Sequence, residues 1–244
     1  MTSRFDGRQA DQLRDIKITE DFVKSSESSF FLEVGRTRVL CCATVDEEVP
    51  RWLKGKGAGW VSAEYSMLPK SSPQRIRRER AGASGRTQEI QRLIGRALRG
   101  VCDMKALGER QIMVDCDVIE ADGGTRTASI VGGFLALARV LEKLKASHPP
   151  AAFAKPILKH FVSAVSVGMV DDRALLDLCY VEDADAAVDM NVVMTDSGDF
   201  VELQGTGEEA VFSRAQLAAL LDLGEKGCRF YHDLQKGFLP NGLP

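Results

Sequence analysis

Twice along this chain a run of strand-like segments gives way to a helical one, and that order narrows the fold more than any other feature. Phe30–Val34 and Thr37–Val45 flank Gly35-Arg36, a tight turn between two strands. A third apolar strand is expected over roughly Gly59–Leu68. The stretch Pro69–Gly85 is polar, rich in arginine and without an apolar period, hence a loop. Helical spacing starts directly after it, with Ile90, Leu93, Ile94, Ala97, Leu98 and Val101 on one face and Ser84 as N-cap. Gln111–Ile119 reads as a strand that places Ile112, Val114, Cys116 and Val118 on one side and Asp115 and Asp117 on the other. A long helix is expected over Thr125–Lys145, with Ile130, Phe134, Leu137, Ala138 and Leu141 facing inward.

Ser147–Pro156 holds three prolines and joins this half (about 1–147) to a second (about 157–244) within one domain spanning 1–244. The second half reads as strands over His160–Val170, Ala174–Tyr180, Ala187–Thr195 and Phe200–Gln204. A terminal helix then starts near Ser213, with Leu217, Leu220 and Leu221 as its stripe. Strands arriving in runs point to an α/β (α+β type) fold with hairpin-rich mixed sheets and exclude a doubly wound parallel sheet. With 244 residues, 44% of them apolar, the chain can bury a sizeable core.

Several function classes fall away at once. The net charge of −3 is not that of a globally basic nucleic-acid protein, so contact with RNA or DNA requires a local patch. No run of about 18 apolar residues predicts a membrane span, and the polar opening Met1–Arg14 lacks the stretch of a secretory signal. Six cysteines without a C-x-x-C pair read as reduced, mostly buried thiols of a cytoplasmic protein; neighbours Cys41 and Cys42 face opposite sides of a strand. Three scattered histidines offer neither zinc-ligand spacing nor a Ser-His-Asp set. There is no G-x-x-x-x-G-K-[ST], and Gly55-Lys56-Gly57-Ala58-Gly59 reads as a flexible connection.

Ser84-Gly85-Arg86 and Gly123-Gly124-Thr125-Arg126 each pair glycine with arginine where a helix begins. Unpaired amides of a first helical turn, a hydroxyl and a two-pronged guanidinium together suit a phosphate-sized anion. Alone, either stretch also fits an ordinary cap; two with the same logic favour one shared anion pocket. Between Arg75 and Arg80 lie four arginines (Arg75, Arg77, Arg78, Arg80), either a solvated loop or a surface for a phosphate backbone beside that pocket. The segment Tyr180–Asn191 brings carboxylates to the end of one strand and the start of the next. Asp183 and Asp189 can converge there as an Mg²⁺ pair or as a proton donor to a leaving oxygen, or the segment is an acidic turn.

Taken in order, these motifs resemble the bacterial ribonuclease PH family. The resemblance is carried by Asp6-Gly7-Arg8, the arginine loop, Ser84–Glu89, Asp117–Arg126, Val188–Met194 and Leu203-Gln204-Gly205-Thr206-Gly207-Glu208, over essentially the whole chain. It implies a ribosomal-protein-S5-domain-2-like fold with two βαβ-like halves and a ring of six copies, a trimer of dimers. It also implies a phosphate-dependent 3′→5′ exoribonuclease of transfer RNA precursors, with inorganic phosphate as nucleophile, nucleoside 5′-diphosphates as products and a reversible reaction. On that resemblance Arg86, Gly124, Thr125 and Arg126 bind phosphate, Asp183 and Asp189 form the metal-linked or acid-catalytic pair, and Arg75, Arg77, Arg78 and Arg80 grip RNA. A non-catalytic RNA-binding ring subunit and a hydrolytic exonuclease are the competing expectations.

Overall fold

The computed structural model describes residues 4–79, 82–149, 153, 155–207 and 210–244. Apolar residues at alternate positions build a first sheet from β1 (Ile16–Glu20), β2 (Ser28–Val34), β3 (Thr37–Asp46), β4 (Trp60–Met67) and β5 (Gln111–Glu120), in the order β1-β2-β3-β5-β4. Only the β4–β5 pair is parallel. A parallel pair needs a crossover, and α1 (Gly85–Gly100) with the short α2 (Met104–Leu107) supplies it. Phe30, Leu32, Cys41, Val114 and Cys116 point to the covered face and are fully or almost fully buried. Asp115 and Asp117 occupy the opposite face, as the alternation predicts. Burial and the neighbouring Glu64 push both carboxyls above their ordinary range.

The second sheet is antiparallel throughout and ordered β7-β6-β8-β9, from β6 (Val162–Val170), β7 (Arg173–Leu176), β8 (Val188–Thr195) and β9 (Phe200–Gly207). The mixed character expected of both sheets therefore belongs to the first alone. The βαβ unit occurs once, in the first half, whereas the second half repeats the order of strands and helix without a parallel pair. A helix apolar on all sides must be covered on all sides, and α3 (Thr125–Ala146) is: it packs on β2, β3, β5 and α1 on one side and on β6 on the other. Gly132 permits the closest approach, since a Cβ there would lie 2.8 Å from Cys41 Sγ. β6 is buried along nearly its whole length between α3 and α5 (Arg214–Phe238). One main core spans both halves, with Phe30, Ile94, Phe134, Val165 and Cys228 all in it, and Leu175, Leu178 and Ala186 form a small second cluster. All six cysteines are free, and Cys42 is the only one of them not buried.

One local reading needs correction. The strand expected over Ala174–Tyr180 ends at Leu176, and α4 (Tyr180–Ala184) follows. Asp177 turns the chain there with φ +56°, and the Glu182 carboxylate accepts the Cys179 amide at 3.1 Å to cap the new helix. The N-terminal segment, read from sequence only as polar and without a signal stretch, is an integral part of the fold. It adds β1 to the sheet edge and buries Arg4, Arg8 and Arg14.

Candidate active site

The two halves meet at a cleft of about 400 Å³. Its walls come from the loop after β4 (Ser72, Gln74), from Arg86 in the first turn of α1, from the turn between β5 and α3, and from α4 and β8 of the second half. Arg86, Gly124, Thr125, Arg126, Asp183 and Asp189 all line it, so sites up to about a hundred residues apart in sequence share one cavity.

The turn Asp122-Gly123-Gly124 is built for close approach. Gly123 and Gly124 both take left-handed φ values, +76° and +68°, which disfavour any side chain. A Cβ on Gly123 would sit 2.5 Å from the Leu178 carbonyl oxygen. The buried Thr37 hydroxyl donates to the Gly123 carbonyl at 2.7 Å and accepts the Asp122 amide at 3.0 Å, fixing the turn to β3. Gly124 is the N-cap of α3 and brings no capping side chain, so the first-turn amides keep their positive end toward the cleft. The Thr125 hydroxyl lies 2.9 Å from Tyr65 Oη. Burial raises the Tyr65 pKa against the opposing pull of Thr125, Arg86 and Arg126. Either hydroxyl can donate in this pair, and where Tyr65 donates the Thr125 hydrogen is left for an anion.

The two arginines are held differently. Arg126 is anchored through Nη1 by Gln204 at 2.9 Å and Glu89 at 3.1 Å, and Gln204 in turn donates to Glu89 at 2.9 Å. Its Nε and Nη2 bond to no described residue. Arg86 is exposed and makes no hydrogen bond or ion pair with any described residue. The first helix start thus differs from the expectation of a matched pair. Ser84 accepts the Thr87 amide at 3.3 Å as an N-cap, and neither it nor Gly85 lines the cleft. That helix contributes its arginine and not its amides.

Opposite the cations stand the acids. Asp189 is the second residue of β8, half-buried, and its Oδ1 is buried without a hydrogen-bond partner among the described residues. Asp183 projects from α4, whose Tyr180 amide donates to Asp122 Oδ1 at 3.3 Å and so ties the acidic helix to the glycine turn. Arg75, Arg77 and Arg78 lie outside the cleft, exposed to solvent on the loop whose Ser72 and Gln74 form its wall. Arg80 and Glu208 fall outside the described residues. Ser72, Gln74, Ser166, Tyr180 and Asn191 line the cleft without having been anticipated. For Asn191 a signal existed, since residues two apart on a strand share a face with Asp189.

Residues 12–140 match the model of the 3′ exoribonuclease family, domain 1, and residues 160–227 match domain 2 of the same family. The chain belongs to the 3′ exoribonuclease family. Within it, the chain is 55% identical over 226 residues to ribonuclease PH of Bdellovibrio bacteriovorus, covering 93% of this chain and 92% of that protein. Ribonuclease PH of Bifidobacterium longum is 52% identical over 238 residues, covering 97% and 96%. Among solved structures, rice (Oryza sativa) Rrp46 superposes with TM-score 0.78 at 18% identity, covering 97% of this chain and all of that one. The Archaeoglobus fulgidus exosome with RNA bound to the active site gives 0.78 at 19%, covering 97% and 92%. At such identity the likeness is one of fold. Full-length similarity to ribonuclease PH enzymes makes this family member a phosphorolytic 3′→5′ exoribonuclease, that is, a nucleotidyltransferase.

Proposed function

We propose that the cleft seats orthophosphate between Arg86, Arg126 and the first turn of α3, and presents it to the 3′-terminal phosphodiester of an RNA held beside Asp183 and Asp189. The observation that carries this reading is the Arg86 guanidinium, unpaired among the described residues, in one cavity with a helix start that has no capping side chain. Two phosphate groups repel one another, so attack distance is reached only where dense positive charge offsets that repulsion. Arg126, pre-oriented by Glu89 and Gln204, and the exposed Arg86 supply it together with the α3 amides.

The transfer follows from that placement. A phosphate oxygen forms a bond to the terminal phosphorus while the bond to the 3′ oxygen of the preceding ribose breaks. The product is a nucleoside 5′-diphosphate, and the shortened RNA keeps a 3′ hydroxyl after that oxygen takes up a proton. Positioning of this kind accounts for roughly 7–11 kcal/mol of barrier in favourable cases. Asp183 and Asp189 are the residues that would hold Mg²⁺. The fit rests on the orphaned, buried Asp189 Oδ1 and on the hard oxygen donors of the pair, the type Mg²⁺ takes from one or two carboxylates plus substrate phosphates. Bound there, Mg²⁺ supplies charge neutralisation at the leaving oxygen.

Transfer RNA precursors are the substrates in this reading, with Arg75, Arg77 and Arg78 meeting the RNA backbone outside the cleft. A homohexamer built as a trimer of dimers is the assembly, and a cytoplasmic setting suits six free thiols. No described helix is long and apolar enough to cross a membrane. Calorimetric titration with orthophosphate, without RNA, tests the seat. Saturable binding that Arg86→Ala weakens at least tenfold is expected. Equal binding by the variant would remove Arg86 from the phosphate site.

A further inference from the structure

The N-terminal arginines are absorbed by no part of the function above, yet they are among the most buried charges of the molecule. The Arg4 side chain is 1% exposed, and its Nε donates to Glu182 Oε1 at 2.6 Å while Nη2 also pairs with the Glu182 carboxylate. Its remaining donors reach the Leu176 carbonyl at 2.7 Å and the Asp177 carbonyl at 2.9 Å. Arg8 joins Glu182 Oε2 at 3.3 Å, the Asp177 carbonyl at 3.0 Å and Asp6 at 2.6 Å. Arg14 spans the two halves. It holds both Asp177 carboxylate oxygens, at 2.9 and 2.6 Å, and donates to the carbonyls of Asp122 at 2.5 Å and Gly123 at 3.4 Å.

We propose that Arg4, Arg8 and Arg14 are positioning residues for phosphorolysis: with Asp177 and Glu182 they form a buried ionic strap that sets the glycine turn of the phosphate seat against the helix carrying Asp183. The inference rests on the phosphate-seat reading of the cleft. Three features support it beyond the contacts themselves. Glu182 is the immediate neighbour of Asp183 and caps α4, so what grips Glu182 orients the acid beside it. Asp177 has a left-handed backbone, φ +56°, while almost fully buried, a conformation that surrounding bonds must maintain. Burial raises the Asp177 pKa, but hydrogen bonds and charge from Arg14 and Arg8 outweigh it and hold the carboxyl below its ordinary range. Buried ion pairs are a poor source of net stability because desolvation offsets their attraction; their best-attested use is register. Here three cations and two carboxylates converge where the two halves must be registered for the cleft to work.

Arg14→Lys keeps the charge but, with its donors on a single nitrogen, cannot reproduce the four bonds of the Arg14 fork; Arg8→Lys, whose bonds reach Asp6, Asp177 and Glu182 and not the glycine turn, is the second variant. Hydrogen exchange of the full chain, without RNA or phosphate, is followed at residues 122–126 and 180–184. At least tenfold faster exchange in both segments is expected for either variant. At a temperature where the variants remain folded, KM for orthophosphate is expected to rise at least tenfold while the Kd for RNA stays within twofold. Folded variants with wild-type exchange in the two segments, or with all kinetic constants falling only in proportion to the folded fraction, would overturn the strap. If Arg14→Lys does not fold, Arg8→Lys decides between the same two results. Absence of phosphate dependence in the wild-type protein would sink the reading of the cleft, and the exchange comparison would still judge the strap.

Discussion

Gly123→Ala is expected to be among the most damaging single-methyl additions in this protein, and its cost can be worked from contacts. A left-handed backbone costs an alanine about 1–2 kcal/mol, and φ at Gly123 is +76°. The new Cβ would also meet the Leu178 carbonyl oxygen at 2.5 Å and Cys179 backbone atoms at 2.7 and 2.9 Å. These are backbone atoms with no rotamer to escape into, so overpacking adds about 1–3 kcal/mol. The sum is about 2–5 kcal/mol. Gly198, in the β8–β9 turn at φ +91°, provides the control, because a Cβ there meets nothing within 4 Å. Gly198→Ala therefore carries only the backbone term; the lower entropy of the unfolded alanine chain offsets both variants alike, by about 0.4–1 kcal/mol. For a chain of this length 1 kcal/mol moves Tm by about 2–4 °C. Calorimetric melting of both variants is the assay, accompanied by KM for orthophosphate, which only Gly123→Ala is expected to raise. Equal Tm losses in the two variants would refute the claim that the glycine turn abuts the entry to α4.

Further outcomes follow from the same geometry. Arg86→Ala is expected to lower kcat/KM for phosphate by about 10²–10³, the scale of a removed oxyanion donor, with RNA affinity retained in a filter-binding assay; collapse of RNA binding would contradict the assignment. Replacing Arg75, Arg77 and Arg78 together with Gln should flatten the salt slope of transfer RNA binding by roughly 0.7–0.9 per lost phosphate contact, and an unchanged slope would place the loop outside the interface. Asp189→Asn should abolish turnover and weaken Mn²⁺ binding, read by electron paramagnetic resonance, with the melting curve preserved; intact ion binding would remove Asp189 from the metal site. Acid should weaken the fold partly through Asp177. Its folded pKa lies below the ordinary 3.8, so the contribution is complete above the unfolded value and disappears as pH falls through the folded one. Asp177→Asn should flatten the stability curve on that acid limb, and an unchanged limb would count against the Arg14–Asp177 pair.

What was legible in the sequence was what short-range pattern encodes. Alternation in Thr37–Val45 and Gln111–Ile119 and the helical spacing after Ser84 and Thr125 survive because each face is buried against a large partner. β1 escaped notice because an edge strand of five residues offers only Ile16 and Ile18 as signal. The Ala174–Tyr180 run reads as strand since Leu175, Leu176, Leu178 and Cys179 do pack inward, while the break at Asp177 is held by Arg14, 163 residues away. For the same reason the strap was invisible: Arg4 and Glu182 are 178 positions apart, and a polar N-terminus looks solvated until its partners are in place. The six cleft residues were found because glycine, threonine, arginine and aspartate at helix and strand starts carry their chemistry locally. The division of labour between the two helix starts was not, since only the fold shows that Ser84 turns its hydroxyl inward to cap α1 while Gly124 leaves α3 open.

The most direct measurement follows the oxygen atoms of the nucleophile. RNA digestion in ¹⁸O-labelled orthophosphate, with products read by mass spectrometry, is expected to give nucleoside diphosphates whose β-phosphoryl group carries the label, and no nucleotide release when phosphate is omitted. Nucleoside monophosphates bearing an oxygen from solvent water, released at the same rate without phosphate, would contradict the account at its centre.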